Sequence, residues 1–144
     1  MYKVMCMGTF DLLHQGHISY FEQAKQHGDE LVVVVARDSS VIADRGKNPM
    51  YSEEERRQAV AKVPIVNRAI LGNEGDKLRI VIQEKPDVIC LGYDQKVDEK
   101  VLQKKLAEHD LHPKIVRAKA HQPEKYKSTL IRSTLQAQPK TQPL

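Results

Sequence analysis

The sequence predicts one doubly wound α/β domain built on a parallel sheet. Short apolar runs bounded by turn residues alternate with amphipathic helical patterns along 144 residues. Strands and helices in alternation pair in parallel through right-handed crossovers. The second run, LVVVVA at 31–36, is apolar throughout, as a strand covered on both faces must be. No internal repeat interrupts the order, and the length suits a single domain with a sizeable core.

The first strand is KVMCM at 3–7, and a helix opens between 14 and 18 and runs through HISYFEQAKQHG. The second strand is ELVVVVA at 30–36; RDSS (37–40) and DRGKNP (44–49) read as loop. SEEERRQAVAKV is a helix whose Ser52 is followed three residues later by Glu55, the spacing of a capping box. IVNRAIL (65–71) forms the third strand, and DKLRIVIQEK is a helix that stops before Pro86. DVICLG (87–92), the helix DEKVLQKKLAEHD and the strand KIVRA (114–118) complete the sheet, and STLIRSTLQ is a last helix. The expected domain is 1–136. Residues 137–144, rich in proline and glutamine, are expected to be a flexible tail.

Composition excludes several classes. No apolar run approaches the length of a bilayer-spanning helix. No export leader is read at the amino terminus, so the expectation is a cytoplasmic protein with no membrane partner. Cys6 and Cys90 sit inside separate strand-like runs, as small buried hydrophobes in a reducing compartment do. Residues 114–144 carry seven Lys/Arg against Glu124 alone, whereas the first 113 residues carry 16 basic and 18 acidic residues. That basic third faces either solvent or the phosphates of a small substrate. With 5% aromatics, no tryptophan and a single aromatic, Tyr126, among the basic residues of that third, nucleic acid is not the expected partner.

Open parallel sheets bind ligands beyond the carboxyl ends of their strands. The segments leaving the strands are GTFDLLHQGH (8–17), RDSS, GYDQ (92–95) and KAHQPEKYKST (119–129), which concentrate Gly, His, Asp and Lys. The segments entering them, HGDE and EKPD, are ordinary turns. Gly8 allows a sharp turn and a close approach to the main chain. His14 and His17 stand three apart at a helix start, on one side, where free amides and the positive dipole end favour an anion. Either they bind phosphate, each able to bear charge near neutral pH, or they cap and pack the loop. GxxxxGK[ST], GxGxxG and HExxH are all absent, which removes P-loop, dinucleotide and zinc-protease chemistry.

GTFDLLHQGH resembles the G-x-F-D-x-x-H-x-G-H signature of the cytidylyltransferase-like nucleotidyltransferases, whose fold is Rossmann-like, and matches it at every signature position. VVVVARDSS, AILGNEGD and PDVICLGYDQ are similar to the archaeal-type FAD synthases within that family. The resemblance implies transfer of AMP from ATP to FMN, giving FAD and pyrophosphate. It also implies Mg2+ or another divalent metal as cofactor, and commonly a homodimer. A glycerol-3-phosphate cytidylyltransferase, using CTP, is the alternative. Those enzymes usually carry R-x-x-G-I-S-T before the last helix, where this chain has EKYKSTLIRS, without the arginine or the G-I. An alternative of another class is a non-catalytic nucleotide or nucleic-acid binder.

By the same resemblance, His14 and His17 stabilise the α-phosphate and the bridging oxygen, and Gly8, Thr9, Phe10, Gln15 and Gly16 complete the nucleotide loop. Thr9 and Phe10 act there through backbone amides, with the Phe10 ring packed inward. Asp11 caps the following turn or holds magnesium. Lys47 neutralises phosphates of both substrates, and Asp38 contacts the acceptor. Asp94 binds ribose or base, His121 lines the nucleoside pocket, and Ser128 and Thr129 offer hydroxyls and free amides to a phosphate. Lys125, Lys127 and Arg132 are the candidates to replace the missing arginine.

Overall fold

The computed structural model describes residues 2–120. In chain order its elements are β1 (Lys3–Gly8), α1 (Gln15–Lys25), β2 (Glu30–Val35), α2 (Asp38–Arg45), α3 (Glu53–Ala61), β3 (Arg68–Leu71), α4 (Leu78–Glu84), β4 (Val88–Leu91), α5 (Glu99–Ala107) and β5 (Lys114–Arg117). The strands form one parallel sheet in the order β3-β2-β1-β4-β5. The chain winds outward from β1 to β2 and β3, then returns past β1 to β4 and β5. The winding therefore reverses between β1 and β4, the place where such sheets open a ligand crevice.

Alternation along each strand divides the core into two layers. Val4, Cys6, Leu31, Val33, Val35, Val88 and Cys90 face α1 and α3, where they meet Phe21, Ala24 and Val60. Met5, Val34, Ile89 and Leu91 face the other way, onto Ile80 and Val81 of α4 and Leu102 and Leu106 of α5. Burial on both faces is why β2 reads as an unbroken apolar run, each such side chain contributing about 1.5–3 kcal/mol. Tyr20 pins α1 to the two strands at the reversal. Its hydroxyl donates to the Cys90 carbonyl at 2.5 Å and accepts from the Met7 amide at 3.4 Å.

The doubly wound architecture agrees with the sequence, and so does the capping box, in which Ser52 Oγ accepts from Glu55 N and Glu55 Oε1 accepts from Ser52 N. Two expectations change. DSS of RDSS and the start of DRGKNP are helix, α2, which follows an extended Arg37 and ends where Gly46 turns left-handed at φ 79°. Only Val41 of that helix is buried, so it carries no apolar stripe to betray it. The third strand begins at Arg68 and not at Ile65. A turn around Pro64, closed by Val66 N donating to the Val63 carbonyl at 3.0 Å, occupies the earlier positions. The expected last helix and tail lie outside the described residues.

Candidate active site

The loop between β1 and α1 is shaped by Phe10. Its backbone is left-handed at φ 54°, which folds the ring back over Gly8 and into the core. A Cβ on Gly8 would stand 2.7 Å from the Phe10 ring, so glycine here makes room for the protein's own side chain. Beyond it the aromatic rings run in series. Phe10 meets Phe21 at 5.2 Å and His17 edge-on at 5.3 Å, and His17 stacks on His14 at 4.0 Å and 26°.

His14 is the N-cap of α1, and the two imidazoles form a histidine version of the capping box. Gly16 N donates to His14 Nδ1 at 3.0 Å, and His14 N donates to His17 Nδ1 at 3.3 Å. A Cβ on Gly16 would lie 2.9 Å from His14 Nδ1, so the ring closes down on a residue with no side chain. An Nδ1 that accepts a backbone hydrogen bond carries a lone pair, so the proton of each neutral ring resides on Nε2. Both rings thus hold an Nε2–H donor at a helix N-terminus.

Burial lowers the His14 pKa below its usual 6.5, against an upward pull from Asp94. Burial, and then the neighbouring His14, pushes His17 down to about 3. Both shifts favour the neutral form of the rings at pH 7. An arriving polyphosphate would oppose both effects.

Two arginines that the sequence reading did not single out fix the surrounding loops. Arg56, 1% exposed, donates to the Thr9 carbonyl at 2.8 Å, the Tyr51 carbonyl at 3.0 Å and Asp38 Oδ1 at 2.7 Å. Asp11 supports the same junction by accepting from Met50 N at 2.7 Å and Tyr51 N at 2.9 Å. Asp11 therefore ties down a distant segment and does not cap the turn that follows it. Asp38 keeps an exposed face, 37% of its side chain, while paired to Arg56. Lys47 is exposed on the segment that these contacts anchor. The signal for Arg56 was in the sequence, since it lies four residues before buried Val60 on the same helix face.

On the other side of the crevice, Arg117 donates to the carbonyls of Gly92, Gln95 and Val97 and to Glu99 Oε2, at 2.8–2.9 Å. Gln95 Nε2 reaches the Met7 carbonyl at 2.6 Å, and Gly92 N donates to Gln95 Oε1. The GYDQ loop is thereby fastened to the end of β1, and exposed Asp94 comes within electrostatic range of His14. Gln15 is exposed beside the pair. Thus Gly8, Thr9, Phe10, Asp11, His14, Gly16, His17, Asp38 and Asp94 gather at the sheet edge, while His121, Ser128 and Thr129 lie outside the described residues. Arg117, in the basic third read as facing either solvent or phosphate, spends its donors on loop carbonyls and Glu99.

The sequence model of the cytidylyltransferase-like family matches residues 5–134. This chain belongs to the cytidylyltransferase-like family. It is 46% identical over 135 residues to a protein of Thermoplasma volcanium described as an FAD synthase, covering 94% of each chain. A Thermoplasma acidophilum protein with the same description is 43% identical over 135 residues, again covering 94% of each. Among solved structures, one described as a lipopolysaccharide core biosynthesis protein from Thermoplasma volcanium GSS1 superposes with a TM-score of 0.80 at 50% identity. That match covers 84% of this chain and 98% of that one. The five-stranded Rossmann-like sheet is thus that of a nucleotidyltransferase. No described helix is long and apolar enough to cross a membrane.

Proposed function

We propose that this protein is an FMN adenylyltransferase, transferring AMP from ATP to the phosphate of FMN and releasing pyrophosphate. The observation that carries the reading is the imidazole pair, locked by backbone donors into Nε2–H tautomers at the start of α1. Similarity to FAD synthases over 94% of the chain supports ATP and FMN as the substrates.

In this reaction an FMN phosphate oxygen attacks the α-phosphorus of ATP. The bond from that phosphorus to the bridging oxygen breaks, and pyrophosphate leaves with the electron pair. The acceptor is already anionic, so no protein base or nucleophile is required. Placement and charge stabilisation carry the rate. His14 and His17 donate from Nε2 to the α-phosphate and the bridging oxygen, and these hydrogen bonds strengthen as negative charge builds. Thr9 and Phe10 amides and the free amides of α1 hold the phosphates. Lys47 draws both substrates' phosphates together, Asp38 faces the acceptor, and Asp94 takes the ribose or base. His121, Ser128 and Thr129 complete the nucleotide contacts.

No group of three or more His, Cys, Asp or Glu suited to a metal lies among the described residues. Both carboxylate oxygens of Asp11 already accept backbone amides. In this reading the metal enters as part of the magnesium–nucleotide substrate. The free thiols Cys6 and Cys90 are in keeping with a reducing cytoplasm.

The test pairs ATP or CTP with FMN or glycerol 3-phosphate and follows pyrophosphate and FAD. Pyrophosphate and FAD from ATP plus FMN are the expected result. Turnover of CTP with glycerol 3-phosphate, or no turnover with any pair, would overturn the assignment.

A further inference from the structure

A cavity of about 410 Å³ lies beside the histidine junction, on the opposite face of the sheet. Its size falls within the roughly 300–1,000 Å³ of small-molecule sites. The floor is apolar, made by Met7, Val34, Val81, Leu91 and Leu102 at the strand ends and on α4 and α5. Gly8 and Thr9, the first residues of the phosphate loop, form one wall. Lys77 and Asp44, both cavity-lining, pair across α4 and α2 at 2.9 Å.

Asn73 also lines this cavity, and its Oδ1 is buried without a hydrogen-bond partner among the described residues. Arg37 holds the adjacent Gly72 carbonyl at 2.7 Å, which fixes the backbone that presents Asn73. A buried, unpaired carbonyl oxygen is costly, and native proteins keep such an atom where something else comes to pair with it. The missing partner is a hydrogen-bond donor, carried by a molecule that also has apolar surface to bury.

We infer that this cavity receives the isoalloxazine ring of FMN, and that Asn73 Oδ1 accepts the ring's imide N3–H. The inference rests on the FMN reading above and deepens it. A flat, fused, largely apolar ring system suits the floor, whereas glycerol 3-phosphate has no apolar face to bury there. The imide places one N–H between two carbonyls, which matches an asparagine amide in both polarity and spacing. A ring seated here sends its ribityl phosphate out past Gly8 and Thr9, toward the start of α1 where the histidines stand. Discrimination for the acceptor then comes from a buried polar atom left unpaired by any molecule lacking the donor.

The test measures lumiflavin, the ring without its ribityl phosphate, by quenching of its fluorescence on the full-length protein, alongside steady-state kinetics. Wild type should bind lumiflavin, and lumiflavin should compete with FMN. Asn73→Leu breaks no internal hydrogen bond of Oδ1, so its melting temperature should hold or rise. It should nevertheless weaken lumiflavin binding and raise the KM for FMN about tenfold, leaving the KM for ATP unchanged. Ser40→Phe, which fills the cavity from α2, should weaken lumiflavin binding at least as much. If lumiflavin does not bind, or binds equally well to both variants, the pocket assignment is wrong even when wild type makes FAD. If lumiflavin binding falls as described but no FAD forms, the pocket stands and the adenylyl-transfer reading fails.

Discussion

Arg56 donates to Asp38 at 2.7 Å from a fully buried guanidinium, joining the start of α2 to α3 beside the β1–α1 loop. Because the same guanidinium also holds the Thr9 and Tyr51 carbonyls, one side chain sets the positions of three segments. Removing the arginine takes donors from two carbonyls and a carboxylate at once.

Arg56→Met should therefore destabilise the protein by about 3 kcal/mol, the scale of breaking a buried ion pair from one side. Asp38→Asn should cost clearly less, because the Asp38 side chain is 37% exposed. Urea denaturation measures both. Equal, small losses in the two variants would show that Arg56 is not the anchor.

His14→Ala and His17→Ala should each lower kcat about 10²-fold, as loss of one transition-state donor does. His17→Ala should also lose stability, because the ring packs edge-on against Phe10 at 5.3 Å. Steady-state kinetics with thermal melting separates the two effects. Near-normal kcat in both variants would remove the histidines from the chemistry.

Acid stability follows from His17. Its folded pKa of about 3 lies below the ordinary 6.5, so the unfolded chain binds the proton more readily. The stabilisation from keeping this ring neutral is complete above pH 6.5 and is lost as pH falls toward 3. Between pH 7 and pH 5 the loss should be about 2 kcal/mol. His17→Gln should flatten that slope in denaturation curves run at each pH; an unchanged slope would place the acid sensitivity elsewhere.

Arg117→Ala should free the 92–99 segment, since it removes donors to the Gly92, Gln95 and Val97 carbonyls together. Asp94 is carried on that segment, so the KM for ATP should rise about tenfold, the loss of roughly one good hydrogen bond's worth of placement. Amide exchange of residues 92–99 should speed up in parallel. A normal KM with normal exchange would show that the clamp does not position the nucleotide side.

Lys47→Ala should raise the KM for ATP or for FMN with little change in melting temperature, since the residue is exposed. Unchanged KM for both substrates would take Lys47 out of the site.

The strands and the histidine junction were legible because each leaves a local signature: apolar runs bounded by turns, and glycines flanking paired histidines. α2 left none, having Val41 as its single buried residue. Pro64 could have warned that the third strand would start late. Arg56 was readable in principle, as an arginine on the buried face of a helix that obliges some acceptor to meet it. Asn73 was not readable, because the burial of its Oδ1 arises only when the end of β3, α2 and α4 come together in space.

The central claim is that two neutral imidazoles present Nε2–H to a nucleotide's phosphates. Nitrogen-15 NMR of the histidine side chains at pH 7, before and after adding ATP with magnesium, tests it most directly. The account predicts Nε2–H tautomers for His14 and His17 in the free protein and large shifts of both Nε2 signals on binding. Nδ1–H tautomers, or Nε2 signals that ignore saturating ATP, would contradict it.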